Sequence, residues 1–240
     1  MKIRYLGHAS FEIRFTAASK QEITILTDPF YYARTPGMKR KYDPIKADDV
    51  YDYILVSHEH NDHCDVQLID ELFSEHTKII TTPEAAAKIH NHPSITLNEG
   101  QEYSDENICV SAVHAEHQQS ANPIGFLLEI PEDIYFAGDT YLYQNIGDIR
   151  APFLAFLPVG GTFTMDVDEA TSAAGLVRPT HLIPMHYGTW EDIASDLEEL
   201  KTKLKQKTVA TKLHIMQPGE TLDLSPFMGV EGQLSMPTSV

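Results

Sequence analysis

The chain predicts an α/β (α+β) fold arranged as a four-layer αββα sandwich, two mixed sheets face to face with helices outside. Three observations carry this. Short strand-like runs open the chain, strands then alternate with helical segments, and a second set of strands and helices follows. No repeat period or shift in composition divides the sequence, so residues 1–224 read as one domain and residues 225–240 as an extended C-terminal tail.

The elements follow in order. Ile3 and Tyr5, then Phe11, Ile13 and Phe15, alternate with polar neighbours as strands do, and Ile23 to Leu26 forms a third strand. Thr16 to Glu22 fits a hairpin loop. Phe30 to Asp49 has no clean period and reads as a long surface loop, a kind that often carries function. Tyr53 to Val56 is a continuous apolar run, the mark of a buried strand. Val66, Leu68, Ile69 and Leu72 have helical spacing, Lys78 to Thr81 is a strand, and Pro83 opens a helix through Ile89. Strand character returns at Ile108 to Val113, Gly125 to Ile130, Ile134 to Ala137 and Phe153 to Leu157. A helix over Val167 to Val177 and a strand over His181 to Pro184 follow. Trp190 to Leu204 is the clearest amphipathic helix, and Leu213 to Met216 is read as closing the sheet.

Composition narrows the function. Acidic residues outnumber basic ones 35 to 18, a formal charge of −17, which should repel nucleic-acid backbones and anionic membranes. The expected partner is therefore a small-molecule substrate, with no long nucleic acid and no membrane; nothing indicates an oligomeric state. Cys64 and Cys109 are too few for a disulfide framework. The first residues lack a signal-peptide apolar core, and no apolar run approaches the roughly 20 residues that span a bilayer. A cytoplasmic location is expected.

The strongest chemical signal is His58-Glu59-His60-Asn61-Asp62-His63, directly after the buried strand. Imidazole and carboxylate are ligands that zinc, manganese and iron(II) accept. On a tight turn, His58 and His60 can face one way and the Asp62–His63 pair another, which suits two neighbouring metals. A histidine-rich surface turn is the blander reading. Four ligands from one turn cannot close two sites, so distant partners are required. Candidates sit just past other strands: His114 and His117, Asp139, and His186. A lone histidine there would more often be structural; the whole set carries the argument.

The run HEHNDH matches the HxHxDH signature of the metallo-β-lactamase superfamily, with AGDT and IPMHYG following in the required order. The segments YLGHASFEI, LTDP, GGTFTMD and IPMHYGT resemble the UlaG-like branch of metal-dependent hydrolases, which includes ascorbate-6-phosphate lactonase and is related to the N-acylphosphatidylethanolamine phospholipase D proteins. The resemblance covers Met1 to about Gly188. It implies two divalent metal ions, zinc first, with manganese or iron(II) as alternatives. His58, His60 and His117 would hold one; Asp62, His63 and His186 the other; Asp139 would bridge both. His117 is preferred because the branch places this ligand in a segment like V-P-A-x-H, which Val113 to His117 resembles. His114, where proline is common, departs from that pattern and is read as a residue on the rim.

The implied chemistry is attack by hydroxide held between two metals on a small ester, lactone or phosphate-containing substrate, with Asp62 orienting the nucleophile or moving its proton. A phosphodiesterase or nuclease of the same superfamily is one alternative, and a non-catalytic metal-binding protein another. Other residues carry weaker expectations. His8 either faces the cleft or is structural. Asp28 either orients a metal-binding histidine or merely forms a turn before Pro29. Gly160-Gly161-Thr162 either offers N–H groups to substrate or is a plain turn. Cys64 is expected to have no catalytic duty. Lys39, Arg40 and Lys41 could hold an anionic group, although a solvated basic loop is the simpler reading.

Overall fold

The computed structural model describes residues 1–34, 37–149, 151–207 and 210–229. The described residues form two seven-stranded mixed sheets flanked by helices. The first sheet contains β1 (Lys2–Gly7), β2 (Ser10–Thr16), β3 (Glu22–Thr27), β4 (Tyr53–Val56), β5 (Lys78–Thr81) and β6 (Ser94–Thr96). The second contains β7 (Glu102–Ser104), β8 (Cys109–His114), β9 (Ile124–Glu129), β10 (Ile134–Phe136), β11 (Leu154–Pro158), β12 (His181–Met185) and β13 (Lys212–Leu213). The final strand, β14 (Thr221–Asp223), returns to the first sheet and pairs antiparallel with β1.

Each sheet has an antiparallel half and a parallel half. In the first, β14, β1, β2 and β3 run antiparallel and β3 to β6 run parallel. In the second, β7 to β10 are antiparallel and β10 to β13 parallel. The central parallel strands β4 and β11 are apolar throughout because both their faces are covered. In β4, Tyr53 and Leu55 enter the central core, while Ile54 and Val56 pack with Leu68, Ile69, Ala85 and Ile89 of the outer layer. The helices of that layer are α1 (Val66–Leu72) and α2 (Pro83–Lys88). Over the second sheet lie α3 (Val167–Val177) and α4 (Leu197–Gln206), which bury Ala170, Ala173, Ala174, Leu200 and Leu204.

The core between the sheets joins Phe11 and Ile13 to Phe126, Phe136 and Phe156; Phe11 and Phe156 lie 4.5 Å apart between ring centroids. It leaves the loops at the C-terminal ends of β4, β10, β11 and β12 on one rim of the sandwich, where functional groups collect in such sheets.

Four sequence expectations change. The predicted helix over Trp190 to Leu204 begins only at Leu197, where the Asp196 carboxylate accepts from the Glu198 and Glu199 N–H groups. Before it, Glu191–Ile193 is a single 3₁₀ turn, and Trp190 and Ile193 pack with Phe30 instead. The strand expected at Leu213 to Met216 is confined to Lys212–Leu213. Three short strands, β6, β7 and β14, were not anticipated. Residues 225–229, placed in an extended tail by sequence, include a 3₁₀ turn at Ser225–Phe227 whose Ser225 Oγ accepts from the N-terminal ammonium at 2.7 Å. Residues 230–240 of the expected tail lie outside the described residues.

Candidate metal centre

The loop after β4 carries His58, His60, Asp62 and His63, which a local turn folds back; the His63 and Cys64 N–H groups both bond the His60 carbonyl. The loops after β8, β10 and β12 bring His117, Asp139 and His186 to the same rim. Three overlapping groups result, each with ligand atoms within 4.8 Å of one another: His58, His60 and His117; His58, His63 and Asp139; and Asp62, His63 and His186 with His8. Asp139 is central. Its Oδ2 lies 3.1 Å from His186 Nε2, 3.4 Å from His63 Nε2, 3.8 Å from His117 Nε2 and 4.0 Å from His58 Nε2.

The surroundings decide which ring nitrogens carry protons. Asp28 is buried behind the site, and its Oδ2 accepts from His63 Nδ1 at 2.7 Å and from Ser57 Oγ at 2.7 Å. The Ser57 hydroxyl, having donated to Asp28, accepts from His58 Nδ1 at 3.0 Å. His60 Nε2 donates to the Gln119 carbonyl at 3.1 Å. His58 Nε2, His60 Nδ1 and His63 Nε2 therefore turn lone pairs toward the centre. His58 Nε2 and His117 Nε2 lie 3.0 and 3.2 Å from His60 Nδ1. The approach of the His58 and His60 lone pairs is repulsive unless a cation sits between them. His63 Nε2 and Asp139 Oδ1 are buried without a hydrogen-bond partner, which points the same way. The donor set fits divalent metal: imidazole and carboxylate, with no thiolate.

Electrostatics agrees. Burial and the neighbouring His63 hold His58 well below the usual imidazole range, and burial also lowers His117, so both are neutral donors. Burial alone would raise Asp139, but His186 and His63 outweigh it and hold the carboxyl well below its ordinary value. Asp62 is likewise lowered, with His63 and His8 outweighing burial. His63 is raised well above its ordinary value because Asp139, Asp62 and Asp28 outweigh its desolvation. Three carboxylates thus demand positive charge at one point. Burial also pushes the Cys64 thiol up to about 12, so it stays protonated at neutral pH.

The backbone is arranged for this purpose. His8, Asp28 and His186 all have positive φ, at 61°, 37° and 54°, a region uncommon for residues with a side chain. Gly160 approaches the His186 carbonyl so closely that an added Cβ would clash with its oxygen. A side chain at this position would keep the loop after β12 from packing here. The rest of GGTFTMD ends in a capping box, in which Asp166 and Glu169 exchange hydrogen bonds at the start of α3.

His117, not His114, joins the cluster. His114 is 45% exposed and bonds Glu99 at 2.8 Å. His8 is fully buried, with Nε2 3.1 Å from Asp62 Oδ2, and burial lowers it to about 3. Two of the three basic residues of the long loop are committed elsewhere: Arg40 donates to the carbonyls of Tyr31 and Ala33 and stacks on Phe30, and Lys41 pairs with Glu191. A cleft of about 330 Å³ opens above Asp62, Asp139 and His186. Met38, Phe163 and Trp190 form an apolar wall, and Lys88 is the cation among the lining residues, its Nζ donating to the Glu59 carbonyl and Asn61. Sequence reading missed Lys88 and this wall, because neither stands in a pattern that marks chemistry.

Residues 2–186 match the family described as Beta-lactamase superfamily domain. The chain is 37% identical over 230 residues to a UPF0173 metal-dependent hydrolase of Staphylothermus marinus, covering 91% of this chain and 97% of that protein. It is 36% identical over 240 residues to one of Pyrococcus furiosus, covering 93% and 100%. Among solved structures it is similar to a metallo hydrolase from Ignicoccus hospitalis, at TM-score 0.76 and 26% identity, covering 92% of this chain and 97% of the other.

Proposed function

We infer the reaction from one premise: this chain belongs to the beta-lactamase superfamily and, within it, to the UPF0173 metal-dependent hydrolases. It is a metal-dependent hydrolase. Beyond that, we propose that His58, His60 and His117 hold one divalent cation, that Asp62, His63 and His186 hold a second, and that Asp139 is shared between them. Zinc, manganese or iron(II) suits these donors. When bound, such a pair acidifies a shared water and polarises the carbonyl or phosphoryl oxygen of the substrate.

The chain's own residues do the rest. Asp28 fixes the ring orientations of His58 and His63 from behind. Asp62, 16% exposed at the cleft, is placed to orient the attacking water and accept its proton. The apolar wall keeps bulk water from one side of the scissile bond, and Lys88 can meet an anionic group on the substrate. A cleft of about 330 Å³ suits a small ester, lactone or phosphate-containing molecule, and the −17 charge disfavours a polynucleotide.

The observation that carries this reading is the position of Asp139 Oδ2 within 4.0 Å of four imidazole nitrogens from three different loops. The test is to strip the protein with chelator and titrate back zinc, manganese or iron(II). Hydrolysis of a lactone, a p-nitrophenyl ester and bis-p-nitrophenyl phosphate is followed at each step. Activity should return only as the second equivalent binds. Protein that takes up two equivalents yet cleaves none of the three would overturn the assignment to esters, lactones and phosphate-containing substrates.

A further inference from the structure

We propose that His8 is a positioning residue: its Nε2–H holds the Asp62 carboxylate in place, and His8 is not itself a metal ligand, although its ring lies close enough to be one. The inference rests on the reading above in taking Asp62 as a metal-binding carboxylate. A closed ring of hydrogen bonds supports it. The His8 backbone N–H can only donate, and it donates to Tyr42 Oη at 3.0 Å. Tyr42 Oη lies 3.1 Å from Thr189 Oγ1, and Thr189 Oγ1 lies 2.9 Å from His8 Nδ1. If the Tyr42 hydroxyl donates to Thr189, the Thr189 hydroxyl donates to Nδ1, and the ring proton must sit on Nε2. That proton then points at Asp62 Oδ2, 3.1 Å away.

The opposite direction around the ring fails at its last link. With the proton on Nδ1, the bare Nε2 lone pair of the fully buried His8 would face a carboxylate oxygen, and both groups would lose a hydrogen bond. A ligand nitrogen must be unprotonated, so the favoured direction also removes His8 from the ligand set.

The ring cannot swing away. It packs 4.1 Å from the His186 ring and 4.8 Å from Trp190, centroid to centroid, and the His8 carbonyl accepts from the His186 N–H at 2.8 Å. Its Asp62 partner oxygen lies 3.7 Å from His63 Nε2 and 3.9 Å from His186 Nε2. Orienting Asp62 therefore sets the geometry of one metal position and leaves the His58, His60 and His117 group untouched.

Nitrogen-15 NMR of the unmodified, histidine-labelled protein, with and without zinc, reads the proton directly. Nε2 of His8 should be protonated and Nδ1 bare in both states. An unprotonated Nε2 in the zinc form, or coupling of His8 to bound cadmium-113, overturns the proposal. Cobalt(II) titration of variants is the second readout. His8→Ala should leave the first equivalent unchanged and weaken the second about 10–100-fold, while His8→Gln, whose amide N–H can replace the donor, should stay within about threefold of the natural protein. Equal loss in both variants overturns it. If the natural protein binds no second cation, the reading of the previous subsection fails, and the zinc-free NMR spectrum still decides where His8 keeps its proton.

Discussion

The strand β12 has a histidine at its start, His181, and another just past its end, His186, and the two live in opposite surroundings. His181 Nδ1 meets His214 Nε2 at 2.8 Å, the rings stack, and Phe153 and Phe227 pack beside them. One imidazole gives a proton and the other accepts it, while His181 Nε2 stays buried without a hydrogen-bond partner and with no carboxylate beside it. His186 instead faces two carboxylates, at 3.1 Å from Asp139 and 3.9 Å from Asp62, with a second imidazole stacked behind it. Histidine pairs alone do not make a metal centre. Convergent lone pairs around shared carboxylates do.

Substitution should separate the two ends most sharply. Asp139→Ala and His186→Ala are expected to lower metal affinity by more than about a hundredfold, since on the proposed reading they remove ligands rather than the outer partners whose loss costs 10–100-fold. His181→Ala should leave metal content intact while lowering stability by about 2–3 kcal/mol, the range for truncating a packed core side chain. Elemental analysis and thermal melts on the same samples check this. Equal effects on metal at both ends would erase the distinction.

A smaller change is expected behind the site. Asp28→Asn should weaken metal binding about 10–100-fold without removing a ligand, because an uncharged amide with one acceptor oxygen cannot accept from Ser57 N on one side and from His63 and Ser57 Oγ on the other. Isothermal titration with zinc measures it.

Acid should act on the His181 end. Burial and the His214 and Lys212 charges lower folded His181 to about 4, against an ordinary value of 6.5. Between those values the unfolded chain binds more protons than the folded one, so stability falls as pH drops through about 6.5 and the loss levels off below about 4. Melting of chelator-treated protein from pH 7.5 to 4 should show the decline, and His181→Gln should flatten that part of the curve. The smallest effect belongs to His114→Ala, which should leave metal content unchanged; a drop in content would place His114 among the ligands.

The same contrast explains what the sequence made legible. HEHNDH was readable because its chemistry is contiguous and follows an apolar strand, and the later partners stand at strand ends. The ring around His8 was not, since His8 and Thr189 are 181 positions apart and Tyr42 lies in a loop without period. Strands β6, β7 and β14 escaped because each has three residues, none of them fully buried, so no alternation could show. The helix at α4 was placed too early because Trp190 and Ile193 continue the spacing of Leu197, Leu200 and Leu204, although they serve a different cluster. Local pattern cannot reveal which core an apolar residue will join.

The pairing of β14 with β1 has a consequence for biosynthesis. On the ribosome β1 emerges long before Thr221 to Asp223, which cover its outer edge. Until then the nascent chain presents a bare strand that other chains can extend. A protein cut short before Thr221 would keep every histidine and aspartate of the metal centre and still be lost, through insolubility and not through altered chemistry.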